Sequence, residues 1–203
     1  GLQNDARGAR PDAEWQPRPA AALQDDEISA IIRGLTDIHV VVLAAGKGTR
    51  MKSALPKVLH RVAGRPMIEY VLETAAGLRP ASIVTVVGHQ AESLTQALAR
   101  HPGLTFVVQE PQLGTAHALL QAEPALAGKR GTLILLSGDV PLLSGSTLKM
   151  LADRHTASGA AATVITASVD NPYGYGRIVR SGQQIARIVE EKDASPGERD
   201  IRE

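Results

Sequence analysis

From His39 onward the chain alternates between two hydrophobic periods. Short β-branched runs, apolar almost without interruption, are separated by longer stretches with apolar residues three and four apart. "HVVVLA" at 39–44 is the first run. "RPMIEYVLETAAGL" at 65–78 follows, with Met67, Ile68, Val71, Leu72 and Ala75 on one helical stripe. The same alternation predicts a strand in "SIVTVVG" (82–88), a helix in "AESLTQALA" (91–99) and a strand in "LTFVVQ" (104–109). It continues with a helix in "GTAHALLQAEPALA" (114–127), interrupted near Pro124, and a strand in "TLILLSGD" (132–139). A Ser- or Thr-capped helix in "SGSTLKMLADRH" (144–155) and a strand in "AATVITAS" (161–168) complete it. Near-continuous apolar strands separated by helices imply an α/β fold, a mainly parallel sheet covered by helices on both faces. "GRIVRSGQQIARIVE" (176–190) breaks the order and reads as an appended β-hairpin around Ser181-Gly182.

The first residues behave differently. "RPDAEWQPRPAAA" has no usable hydrophobic period and reads as a loosely attached lead. Within 25–35, Ile28, Ile31, Ile32 and Leu35 fall on one stripe, a short amphipathic helix capped by Asp25 or Asp26. The expected organisation is therefore a lead over 1–37 and one domain over 38–203.

Composition narrows the function. The 203 residues carry a formal net charge of +1, which gives no support to a nucleic-acid partner. There is no Cys, so neither a disulfide framework nor a thiolate metal site is available, in keeping with a reducing cytosol. No apolar run approaches the roughly 18–20 residues needed to span a bilayer, and there is no signal-peptide apolar core. Aromatic residues make up 2% of the chain, so recognition of a base would lean on backbone and amide groups. The neutrality is not uniform. From Ala44 to Ile68 there is no Asp or Glu, while Lys47, Arg50, Lys52, Lys57, Arg61 and Arg65 fall in the same stretch.

In an open α/β sheet, ligands bind beyond the carboxyl ends of the strands. The chemistry-bearing strings all follow strands: "AAGKGTR", "GHQ", "QEPQLGT" and "SGDVPL". Ala44, Ala45, Gly46 and Gly48 let backbone N–H groups approach a phosphate, and the lysines and arginines add charge. The string is not a P-loop, because no G-x-x-x-x-G-K-[ST] occurs. Nor is it the dinucleotide fingerprint: after Gly46 and Gly48 the third position is Met51, and Glu69 lies inside a helical pattern. What remains is a polyphosphate site. Pro56 fixes the chain before Lys57 and so helps to place its ammonium. Asp139, at the end of a strand, can hold Mg²⁺ between phosphate oxygens. Gln109 and Gln112 offer donors and acceptors suited to a base edge, and Thr115 is also a candidate helix N-cap. His60, His89 and His117 lack metal-ligand spacing and receive no chemical role.

"LAAGKGTRMKSALPKVLH" resembles the signature of the sugar-1-phosphate nucleotidyltransferases. "QLGTAHAL", "GDVPL", "YGYGRIVR" and "IVEEKDA", in that order, are similar to the uridyltransferase domain of the bacterial N-acetylglucosamine-1-phosphate uridyltransferases. The resemblance runs from about Ile38 to Glu203. It implies a Rossmann-like fold of the nucleotide-diphospho-sugar transferase type. It also implies uridylyl transfer from UTP to N-acetylglucosamine-1-phosphate, with Mg²⁺, in the cytoplasm, for cell-wall precursor synthesis. Leu43, Ala44, Ala45 and Gly46 match the loop along the nucleotide. Arg50 and Lys57 match its phosphate-binding cations, and Gln109, Gly114 and Thr115 match the uracil-contacting stretch. Asp139 matches the metal ligand, with Ser137 and Gly138 beside it; the family often has Tyr where this chain has Ser137. Gly176 and Glu190 match amino-sugar contacts. The family continues past Glu203 with a second metal-binding Asn and a β-helical acetyltransferase domain, and is homo-oligomeric. On that pattern, this chain is a C-terminally truncated version of the domain.

Overall fold

The computed structural model describes residues 37–46, 48, 51–88 and 90–203. The helix expected over 25–35 lies outside the described residues, as do Lys47, Thr49, Arg50 and His89.

The first strand, β1 (Ile38–Leu43), is buried through Val40, Val41 and Val42, so both of its faces are covered. After the basic loop comes a 3₁₀ turn at Lys57–Leu59. A small hairpin, β2 (Arg61–Val62) and β3 (Arg65–Pro66), leads into helix α1 (Met67–Ala76). Then follow β4 (Ser82–Val87), α2 (Ala91–Ala97) and β5 (Leu104–Val108). Next are α3 (Thr115–Gln121), α4 (Glu123–Leu126), β6 (Thr132–Ser137) and α5 (Gly145–Ser158). The break between α3 and α4 falls at Ala122, and Pro124, which has no N–H to continue the α3 ladder, sits in the first turn of α4. The Ser144 hydroxyl caps α5 by accepting from the Thr147 N–H at 3.1 Å. Among the described residues, no helix is long and apolar enough to cross a membrane.

The sheet order is β5-β4-β1-β6, and every pairing is parallel. Alternate side chains of β1 serve opposite layers. Val40 and Val42 pack with Ile68, Val71 and Leu72 of α1, Leu94 of α2 and Leu148 of α5. Val41 packs with Val84 and Val86 of β4 and with Ala118 of α3. Fully burying an aliphatic side chain stabilises by about 1.5–3 kcal/mol, so these two layers hold the strand ends in register.

Two expectations are corrected. The stretch 161–168 forms no strand. With β6 it lines an apolar groove, through Leu133, Leu135, Val164 and Ile165, and it joins none of the sheets. β-Branched composition favours an extended chain, but a strand needs a partner. Thr115 is not a helix N-cap: that place is taken by Gly114, and Thr115 is the first residue of α3. The expected hairpin is present as β7 (Arg177–Ser181) and β8 (Gln184–Val189), paired antiparallel. Its turn is centred one residue later than expected, with Ser181 paired to Gln184. A final short helix, α6 (Pro196–Arg199), starts from a capping box between Ser195 and Glu198.

Candidate active site

Parallel strands bring their carboxyl ends to one edge, and backbone hydrogen bonds stitch the loops together there. The Ala44 N–H donates to the Val86 carbonyl at 2.8 Å, and the Gly138 N–H donates to the Leu43 carbonyl at 2.9 Å. The Gln109 N–H donates to the Val87 carbonyl at 2.7 Å. The loops enclose a cleft of about 450 Å³. Its floor is Leu43, Ala44, Ala45 and Gly46 of the first loop. Gln109, Gly114 and Thr115 form one wall; Lys57, Ser137 and Asp139 form the other. Gly138, between two lining residues, packs beneath them, where an added Cβ would stand 3.1 Å from the Leu43 carbonyl oxygen.

Lys57 and Asp139, 82 residues apart, meet across this wall with Nζ 2.5 Å from Oδ2. Their side chains keep 41% and 31% of their surface exposed, so the pair is reachable by a ligand. Gly48 makes the approach of the basic loop possible: its φ is +58°, and a Cβ there would stand 2.8 Å from Lys57 Cβ. Lysine has three ammonium donors, and one is given to Asp139, which leaves two for phosphate oxygens.

The two glutamines do different work. Gln112 Nε2 donates to the Ala45 carbonyl at 2.8 Å, tying the β5 loop to the first loop. This strut crosses directly over Gly88, the residue after β4. An added Cβ at that position would fall on the Gln112 amide and stand 2.6 Å from the Ala45 oxygen. Gln90 makes a parallel tie, donating to the Ala54 carbonyl at 2.6 Å. Sequence reading offered Gln112 to a base; in the structure its amide N–H holds the loop. Gly88 and Gln90 were legible only as members of the "GHQ" string that follows a strand.

Gly176 and Glu190 are brought together at the base of the β7–β8 hairpin, flanking the paired Arg177 and Val189, and they do not line the cleft. Behind them lies a residue that sequence reading passed over. Arg177 is buried; its Nη2 donates to Glu191 Oε2 at 2.7 Å, and its other nitrogens donate to the carbonyls of Tyr175 and Arg199. The same Glu191 oxygen accepts from the Gly174 N–H at 3.1 Å. These donors, Arg177 first, hold the Glu191 carboxyl below the usual carboxylate range. Glu69, the acid a dinucleotide site would have called for, is buried in α1 and bonded to Arg100.

Asp139 is the one carboxylate on the cleft wall, and no cluster of three or more potential metal ligands occurs among the described residues. That donor set fits Mg²⁺, which keeps several waters and takes one or two carboxylates plus substrate phosphates.

Comparisons with known proteins fit this geometry. Over 170 residues the chain is 51% identical to the bifunctional protein GlmU of Pelobacter propionicus, covering 83% of this chain and 37% of that one. The chain thus spans little more than a third of the length of this curated relative. A solved UDP-glucose pyrophosphorylase, complexed with UDP-glucose, aligns over 82% of this chain and 72% of its own with a TM-score of 0.63. At 21% identity that likeness is one of fold. A Mycobacterium tuberculosis protein, Rv0371C, solved as a complex with manganese, aligns over 60% of this chain and 61% of its own at 26% identity and a TM-score of 0.51. Residues 40–201 match the MobA-like NTP transferase domain. The chain belongs to that nucleotidyltransferase family.

Proposed function

We propose that the cleft carries out uridylyl transfer from UTP to N-acetylglucosamine-1-phosphate, giving UDP-N-acetylglucosamine and pyrophosphate for cell-wall precursor synthesis. The observation that carries this reading is the Lys57–Asp139 pair, held at the mouth of an acid-free loop opposite a wall of amide groups. The likeness to GlmU proteins supports the choice of substrates.

The chemistry needs little from a general base, because the attacking phosphate oxygen is already ionised. That oxygen forms a bond to the α-phosphorus of UTP as the bond from this phosphorus to the pyrophosphate oxygen breaks. Two anions must be aligned and the charge developing on pyrophosphate must be neutralised. The first-loop backbone at Ala44–Gly46 lies along the phosphates. Lys57 places its ammonium against them, fixed in direction by Asp139. Arg50, from the same loop, adds a second cation. Asp139 would hold Mg²⁺, which when bound supplies further charge neutralisation at the phosphates. Gln109 with the Gly114–Thr115 turn contacts the uracil. Gly176 and Glu190 receive the amino-sugar at the hairpin base.

A pyrophosphate-release assay with N-acetylglucosamine-1-phosphate and each of UTP, CTP, GTP and ATP tests the reading. Release with UTP, at least about tenfold faster than with the others, is the expected result. Preference for CTP or GTP overturns the uridylyl assignment while leaving the transferase family intact. Binding of UTP without release of pyrophosphate marks a nucleotide-binding module instead.

A further inference from the structure

His117 lies two residues into α3 and faces Gln109 rather than the cleft. Its Nδ1 is 3.1 Å from Gln109 Nε2, and its Nε2 is 3.1 Å from the Gln121 side-chain amide. Gln109 is buried, and the same amide nitrogen donates to the Gly114 carbonyl at 2.9 Å. These contacts form a single chain of donors and acceptors, and it can be solved from one end.

A carbonyl oxygen only accepts. The Gln109 atom facing the Gly114 carbonyl must therefore be the amide nitrogen, whichever way an amide is first drawn. That NH₂ has two hydrogens. One goes to Gly114, and the other points at His117 Nδ1. Nδ1 must then be the bare, accepting nitrogen of a neutral imidazole, and the ring proton sits on Nε2. The Nε2–H in turn donates to Gln121, whose amide presents its oxygen. Both Gln109 hydrogens are thus used inside the protein. The part of the amide left for a ligand in the cleft is the oxygen, an acceptor only.

We propose that His117 is a positioning residue that sharpens nucleotide specificity by holding, together with the Gly114 carbonyl, the sense of the Gln109 amide. The inference rests on the uridylyl reading above. The pairing edge of uracil has two acceptors, O2 and O4, and one donor, N3–H. A site that presents only an acceptor can bond that edge solely at N3–H. Cytosine held in the same register presents a bare lone pair at N3, which would face the Gln109 oxygen and be repelled, and its 4-amino donor reaches that oxygen only if the base shifts along its edge. A ring that did not accept at Nδ1 would leave the Gly114 carbonyl as the single contact holding the amide in this sense and would weaken the discrimination. This deepens the earlier expectation that glutamine suits a base edge because it offers both a donor and an acceptor: here the donor is internally occupied, and the selectivity comes from a histidine that touches no substrate.

Two measurements decide it. The first is the ¹⁵N spectrum of the histidine rings in the full 203-residue chain at neutral pH. The expected His117 pattern is an unprotonated Nδ1 and a protonated Nε2; a proton on Nδ1 overturns the proposal. This needs no variant. The second is titration of UTP and CTP into the wild type and into His117→Phe, which keeps a ring but removes both hydrogen bonds. The wild type is expected to prefer UTP, and the variant to lose about tenfold of that preference while its affinity for inorganic pyrophosphate stays unchanged. A wild-type preference for UTP that survives in a folded His117→Phe overturns the role of His117. A wild type without any preference for UTP overturns the uridylyl reading beneath it, which separates the two failures.

Discussion

Among the described residues, Asp139 in the cleft has one side-chain partner, the Lys57 ammonium, and both side chains stand partly in solvent. In the last thirty or so residues of the chain three carboxylates are treated otherwise. Glu191 accepts from Arg177 and from the Gly174 N–H. Glu198 accepts from the Ser195 hydroxyl and N–H and from Arg187, and Glu203 from Arg180 and Thr166. A carboxylate with its lone pairs filled by protein donors has little left for a metal or a substrate. One with a single flexible partner keeps most of its capacity. Both regions set a carboxylate against a cation, and the number of donors around each carboxylate separates structural charge from charge available for chemistry.

The hardest way to break the contrast is at Arg177. Arg177→Met keeps length and apolar volume but removes, from a buried position, the donor to the Tyr175 and Arg199 carbonyls and the cation on Glu191. Each hydrogen bond contributes about 0.5–1.5 kcal/mol, and one to a charged group about 1.5–3, so a loss on the order of 3 kcal/mol is expected in urea denaturation. UTP affinity at the cleft, which Arg177 does not line, should be little changed. If the variant unfolds at the wild-type urea concentration, Arg177 is not structural.

The reciprocal test is Asp139→Asn. Here stability should fall by less than about 1 kcal/mol, because a partly exposed ion pair contributes little. Metal-dependent pyrophosphate release should fall by on the order of a hundredfold, about 2.7 kcal/mol of transition-state stabilisation. Near-normal turnover removes Asp139 as the metal-holding residue. Lys57→Ala comes next. It is expected to lower turnover by at least about tenfold, ~1.4 kcal/mol, through loss of one phosphate contact. An unchanged rate would make Lys57 an ordinary surface lysine.

How far such assignments were legible in the sequence follows from what each one depends on. β1 was readable because Val40, Val41 and Val42 are buried on both faces, and an uninterrupted apolar run is the local signature of that burial. The position of the cleft was readable too, since parallel strands put their following loops on one edge. The stretch 161–168 carries the same kind of β-branched signal and forms no strand, because pairing depends on what lies alongside and composition does not report it. β2 and β3 are two residues each, below any periodic signal. The Lys57–Asp139 contact spans 82 residues, and no spacing rule predicts it. Least legible were the occupancies: that the Gln112 N–H is committed to Ala45, that both Gln109 hydrogens are committed, and that Arg177 faces inward. Residue type gives a side chain's capacity, and only the fold says how much is already used.

The smallest expected effect, and the one that probes the contrast across a whole region, is on acid stability. The Ser195 hydroxyl and N–H, with Arg187, hold the Glu198 carboxyl down to about 2, and Arg180, with Thr166, holds Glu203 down to about 2. Both stand near 4.5 when those contacts are absent. A carboxyl whose folded pKa is depressed stabilises the fold fully above its unfolded pKa, and that contribution is lost as pH falls toward the folded value. Stability should therefore be level above about pH 5 and decline between roughly 4.5 and 2. Glu203→Gln should be less stable than wild type at pH 7 and should show a shallower decline in that acid window, read by urea midpoints at each pH. Both carboxyls are partly exposed, so solvent screening keeps the change modest. A decline of equal slope in wild type and variant would mean that the Arg180 contact stabilises no more than a surface pair. The hairpin's charges would then be as loosely held as the cleft's, and donor count would fail as the property that separates the two regions.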